Sequence, residues 1–108
     1  MEIIHLEHIE EYEELKKKYK FILVQFSASW CGPCKKIYPE LEELYKQLDK
    51  DLIEIYKIQI DNDDNEKICE IFKVESVPSF YLMKEKECIN ELKGADINGI
   101  KKMLNIKD

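Results

Sequence analysis

Two strand-like runs constrain this chain more than anything else in it: FILVQF at residues 21–26 and LIEIYKIQI at residues 52–60. The first is apolar except at Gln25, the pattern of a strand covered on both faces. The second is rich in β-branched residues. Between them Ile37, Leu41, Leu44, Tyr45 and Leu48 form one apolar helical stripe, with Pro33 suited to the first turn and Pro39 expected to kink the helix. A strand, a helix and a second strand in that order give a parallel pair joined by a right-handed crossover. Such a unit calls for a central sheet with helices packed on it.

The rest of the chain fits around that unit. EIIHL, residues 2–6, reads as a short first strand, and Ile9, Tyr12, Leu15 and Tyr19 set a helical stripe over residues 9–19. DNDDNEKICEIF supplies caps and a short helix with Ile68, Cys69, Ile71 and Phe72 partly inward. VPSFYLM and CINEL, joined by the tight turn KEKE, make an antiparallel hairpin. Asp96 caps a last helix carrying Ile97, Ile100, Met103, Leu104 and Ile106. The expected architecture is α/β, a mixed five-stranded central sheet flanked by four helices.

With 108 residues the chain is expected to form one domain, residues 1–108. A net charge of −6 and the lack of a basic cluster argue against nucleic-acid binding. The longest apolar run, FILV, is far short of the ~20 residues that span a bilayer. The opening residues, MEIIHLEHIEEYEEL, lack the basic start and apolar run of a secretory signal. The expected setting is therefore the cytosol, with no membrane partner, where a structural disulfide does not persist.

That setting bears on Cys31 and Cys34, which stand in FSASWCGPCKKIYPEL where a strand gives way to a helix. The pair could be a staple, half a zinc site, a redox couple or an accident of spacing. A zinc site needs four ligands, usually as two close pairs, but Cys69 and Cys88 are far apart and His5 and His8 lie near the N-terminus. A redox couple has a physical rationale. Unpaired N–H groups and the positive end of the helix dipole favour a thiolate, the reactive form of cysteine. Lowering a thiol pKa from about 8.5 to about 7 takes only ~2 kcal/mol. Cys34, one turn further in, can attack a mixed disulfide formed at Cys31. Gly32 leaves the attacked sulfur uncrowded, and Pro33 fixes the backbone between the two sulfurs.

On these residues the chain resembles the thioredoxin family. WCGPCK at residues 30–35 matches its signature, and a CxxC beside a βαβ pattern is a known cue for it. The likeness continues through IIHL, FILVQF, Pro39, KIQID, VPSF and GAD, covering nearly the whole chain. It implies the thioredoxin fold, with a cis Val77–Pro78 peptide facing the cysteines and Val77 offering its backbone to an extended substrate. It places Trp30, Ile60, Val77 and Gly94 in an apolar rim around Cys31. It implies a protein-disulfide reductase with no bound cofactor, acting as a monomer. Reducing equivalents would come from NADPH through a thioredoxin reductase, and substrates would be disulfide-bearing proteins such as peroxiredoxin- or ribonucleotide reductase-like partners. Two rivals are a thioredoxin-fold adaptor with little turnover and a disulfide isomerase-type oxidant. The latter usually carries histidine where Pro33 stands.

Four positions depart from the family pattern. Gln25 replaces a buried aspartate thought to relay the resolving cysteine's proton, usually alongside a lysine matching Lys57. Glutamine cannot titrate, so slower resolution at low pH is expected, with Cys31 free of a buried anion's upward push. Ser27 stands where an aromatic residue often packs, which could loosen the pocket or admit water. Lys93 sits beside Gly94, where it could favour acidic substrate segments. KEKE lacks the glycine usual in such a turn. Lys57 is read as buried and functional, Cys69 and Cys88 as small buried hydrophobes, and Tyr38, Tyr45 and Tyr56 as packing residues. His5 is read as a partly packed surface residue, and residues 7–14 as a solvated helix face.

Overall fold

A computed structural model describes residues 4–6, 9–15, 17 and 20–104. Along the chain run β1 (Ile4–Leu6), α1 (Ile9–Leu15), β2 (Phe21–Ser27), α2 (Gly32–Lys46) and β3 (Ile53–Gln59). A 3-10 turn, Asp63–Asn65, leads into α3 (Glu66–Phe72), then β4 (Ser79–Lys84), β5 (Glu87–Lys93) and α4 (Ile97–Met103). The expected positions Glu2, Ile3, His8, Tyr19 and Ile106 lie outside the described residues.

The sheet order is β1-β3-β2-β4-β5. β1 and β2 both run parallel to β3, while β2–β4 and β4–β5 are antiparallel. The central strand β2 is thus the run that is apolar but for Gln25 and Ser27, as burial on both faces requires. Its side chains alternate between two cores. Leu23 packs with Ile55, Phe80 and Leu82 against Ile37, Leu41, Leu44 and Tyr45 of α2 and Ile100 of α4. Ile22, Val24 and Phe26 pack with Tyr56, Ile58 and Tyr81 against Tyr12 of α1 and Ile68 of α3. The helices therefore cover both faces of the sheet, and β2 and β3 deliver their C-terminal ends to one edge of it.

Local signals behave as their chemistry dictates. Asn62 accepts from the Asp64 N–H and Asp96 from the Gly99 N–H, each capping the helical turn that follows. α2 runs unbroken through Pro39, which is exposed, so the missing N–H opens toward solvent. The turn between β4 and β5 places both Glu85 and Lys86 at positive φ, 50° and 74°. That is the geometry a two-residue hairpin needs, adopted here without glycine.

Two packing expectations need correction. Ile71 is exposed, because the seven-residue α3 centres its inward stripe on Ile68 and Phe72. Cys88 is also exposed, because β5 is an edge strand covered along almost none of its length. Cys69 is half-buried against the second core, closer to the reading made for it.

Candidate active site

The chain leaves β2 at Ser27 and turns through Ala28, Ser29 and Trp30 to Cys31, the N-cap of α2. The Cys31 N–H donates to the Ala28 carbonyl at 3.1 Å, closing the turn. Cys31 has extended backbone geometry, and its Sγ accepts the Cys34 backbone N–H at 3.2 Å. The sulfur thus takes the place a serine or aspartate oxygen takes at ordinary helix starts. A donor already aimed at that sulfur, beside the positive end of a 15-residue helix, stabilises it most when it is an anion. Pro33 occupies the first turn, where its missing N–H leaves nothing unpaired.

Cys31 and Cys34 are joined as a disulfide with Cα atoms 5.3 Å apart, and both are buried, at 4% and 2% exposure. They form a small cluster with Ala28, against which Ile60 and Val77 pack. Gly32 and Pro33 are exposed, and a Cβ on Gly32 would meet no atom within 4 Å, so approach over the loop is open.

Val77, which packs against the cysteine cluster, stands just before β4. The Val77–Pro78 peptide is cis. The Pro78 carbonyl accepts the Gly94 N–H at 2.9 Å, and Gly94 sits at φ 97°, a region that disfavours side-chain-bearing residues. Trp30 is 68% exposed, an aromatic platform beside the pair and not a core residue. Of the residues expected in the rim, Ile60 and Val77 pack against the cysteine cluster, Gly94 is tied to Pro78 next to Val77, and Trp30 adjoins Cys31 in the chain. Lys93, beside Gly94, pairs with Glu75 at 3.8 Å, which partly offsets the charge expected to favour acidic segments.

Within β2, Gln25 lies opposite Lys57 in β3 and Phe80 in β4. It is wholly buried, and neither Nε2 nor Oε1 has a hydrogen-bond partner among the described residues. Each such orphan costs about 1–3 kcal/mol. Lys57 is half-buried, with Nζ 4.4 Å from the centroid of the Tyr38 ring. Burial pulls its pKa below the ordinary lysine value, and the Glu42 carboxylate opposes that pull. Ser27 is buried, and its carbonyl accepts the Ile60 N–H at 2.8 Å, carrying the sheet's pairing one residue toward the site.

One contact escaped the sequence reading. The Ser29 hydroxyl donates a short hydrogen bond to the Asp61 carboxylate, and the Ser29 N–H approaches its two oxygens at 3.3 and 3.4 Å. The register already pairs Ser27 with Gln59, so residues 29 and 61 are set to meet two positions further on. The Ser29 hydroxyl holds the Asp61 carboxyl below the usual carboxylate range. A depressed folded pKa means this clasp stabilises fully above the unfolded value and is lost as pH falls through the lower folded one. Trp30 adjoins Ser29 and is the sole tryptophan, so its fluorescence should report the loss. In Ser29→Ala the acid midpoint should move up toward that of an ordinary aspartate; an unmoved midpoint would show that the clasp does not set it.

Among the described residues no group of three His, Cys, Asp or Glu side chains could hold a metal ion, and no helix is long and apolar enough to cross a membrane.

The thioredoxin family profile matches residues 3–106. An H-type thioredoxin of Fagopyrum esculentum is 36% identical over 86 residues, 80% of this chain and 71% of that protein. A thioredoxin of Ictalurus punctatus is 30% identical over 105 residues, 95% and 96% of the two chains. The X-ray structure of Fasciola hepatica thioredoxin superposes with a TM-score of 0.86 at 28% identity, covering 95% of this chain and 97% of that one. The mixed sheet and the cysteine pair at the start of α2 are what such a match requires, and the chain belongs to the thioredoxin family of thiol–disulfide oxidoreductases, acting as a protein-disulfide reductase.

Proposed function

We propose that Cys31 is the attacking thiol and Cys34 the resolving one. The Cys31 thiolate attacks a substrate disulfide, forms a mixed disulfide and releases one substrate thiolate. Cys34 then attacks the Cys31 sulfur, the second substrate thiolate leaves, and the Cys31–Cys34 disulfide holds the two electrons' worth of oxidation taken from the substrate. The observation that supports this assignment most is the Cys34 N–H directed at the Cys31 Sγ. Gly32 keeps the approach open and Pro33 holds the turn. Trp30, Ile60, Val77 and Gly94 form the surface that receives an extended substrate, with Pro78 setting the Val77 backbone for pairing. Lys57 and Gln25 act from behind Cys34.

No cofactor need be bound, because the electrons enter through the same disulfide. NADPH, through a thioredoxin reductase, is the source we infer, and disulfide-bearing proteins of the peroxiredoxin or ribonucleotide reductase kind are the substrates. The protein works as a monomer in the cytosol, where a dithiol reductant is kept reduced.

Selective alkylation tests the assignment. Cys69 and Cys88 have thiol pKa values pushed up by desolvation, so both stay protonated near neutral pH. Limiting iodoacetamide on the reduced protein at pH 7 should therefore modify Cys31 well ahead of both, as read by peptide mass. A Cys31 rate no greater than that of free cysteine would remove the nucleophile from this scheme.

A further inference from the structure

An open groove of about 370 Å³ leads away from the cysteine loop, lined by Gly32, Pro33, Lys36, Ile37, Glu40 and Ala95. It is continuous with the reactive site at Gly32 and Pro33, and Ala95, which follows Gly94, forms its other wall. Gly32, Lys36 and Glu40 stand four residues apart in α2, so they make one row along the helix, with about 6 Å between successive members. Lys36 and Glu40 are both exposed, and neither has an ion-pair partner among the described residues. Lysine placed before glutamate at this spacing is the weaker of the two orders on a helix. Further along α2, where the order is reversed, Glu43 and Lys46 do pair, at 3.0 Å. The groove thus offers a cation nearer the sulfurs and an anion one turn further off, above an apolar floor of Pro33, Ile37 and Ala95.

We propose that this row selects substrates, through a segment that carries an acidic residue two places from its reactive cysteine and a basic residue four places from it. The inference rests on the redox reading of Cys31 and Cys34 and names the substrate class of that same site. A substrate sulfur joined to Cys31 comes in over Gly32, where a Cβ would meet nothing within 4 Å. An extended chain advances about 6.6 Å every two residues and presents the same side at that interval. The step matches the row on the helix. With the substrate cysteine at Gly32, the second residue along faces Lys36 and the fourth faces Glu40, and their stems lie on the apolar floor. The other arm of the substrate is left for Val77. The preference for acidic segments expected of Lys93, whose charge Glu75 offsets, thus passes to Lys36.

The test uses disulfide-linked homodimers of two nine-residue peptides, KAEACAEAK and EAKACAKAE. Each reads the same in both chain directions, and their side-chain charges sum to zero. They differ only in which charge lies nearer the cysteine. Reduction by the reduced protein, freed of its own reductant, is followed by release of peptide thiol. Each rate is divided by that with dithiothreitol, which has no groove. Wild type should reduce the first peptide about threefold to tenfold faster than the second, and the preference should shrink in about 1 M salt. The double variant Lys36→Glu with Glu40→Lys should erase or reverse it, whereas a merely structural role would slow both peptides alike. Equal rates in wild type overturn the proposal, as does a preference that the exchanged variant keeps. Should the variant not fold, wild type decides, since a preference untouched by salt is not one of charge. Reduction of neither peptide, or reduction undiminished in Cys31→Ser, overturns the redox reading itself.

Discussion

Cys34→Ser will lose most of its acceleration of insulin reduction by dithiothreitol, and once reduced and freed of dithiothreitol each molecule will capture one substrate as a stable mixed disulfide. The substitution is small, and Cys34 is 2% exposed inside the cluster it shares with Cys31 and Ala28. The backbone N–H of residue 34, which points at the Cys31 Sγ, does not depend on the side chain. Attack by Cys31 therefore survives, and only the displacement step is lost, because a hydroxyl at this site is not a competent nucleophile toward disulfide sulfur. The captured substrate should appear by mass as an adduct on Cys31, released by excess dithiothreitol. Cys31→Ser should abolish turnover and capture together, leaving Cys34 buried one turn inside α2. The pair of variants separates a working reductase from a binding module that merely retains its cysteines. Turnover at the wild-type rate in Cys34→Ser, with no adduct captured once dithiothreitol is removed, would mean that Cys34 is not the resolving thiol, and the assignment of the two cysteines would fall.

The strands and helices were legible because each rests on a local pattern. The continuous apolar run of residues 21–26 marks the central strand, and the stripe from Ile37 to Tyr45 marks the inward face of α2. The cysteine pair was legible for a similar reason, since strand, loop and helix start are consecutive in the chain. Features that depend on which strands become neighbours were not. Cys88 looks like any strand cysteine until β5 is known to be an edge. The Ser29–Asp61 clasp exists only because β2 and β3 pair in one register. Lys93 meets Glu75 across a loop no periodicity reveals. Gln25 stood out as a departure from the family pattern. That its buried carboxamide lacks a hydrogen-bond partner came only with the packed structure.

The aromatic cluster on the far side of the sheet should carry the largest single-residue share of stability, and Phe26→Ala should expose it. Phe26 is fully buried, with its ring 5.1 Å from Phe72 and 5.5 Å from Tyr81, both edge-on. Phe72 also meets Tyr12 at 5.6 Å and Tyr81 at 5.0 Å, so one ring removed loosens contacts among α1, α3, β2 and β4 together. A buried Phe→Ala change costs about 3–5 kcal/mol in lost burial and residual cavity. A domain of this size holds roughly 5–15 kcal/mol in all. At roughly 4–8 °C per kcal/mol, Tm should fall by on the order of 10–40 °C. Phe26 faces the core opposite the one that holds α2, so the cysteine geometry has no direct contact to lose. Assayed cold, where the variant remains folded, insulin reduction should therefore stay near the wild-type rate, and its loss on warming should track unfolding followed by circular dichroism. A variant that melts within a few degrees of wild type would show that α1 and α3 are held to the sheet by something other than these rings.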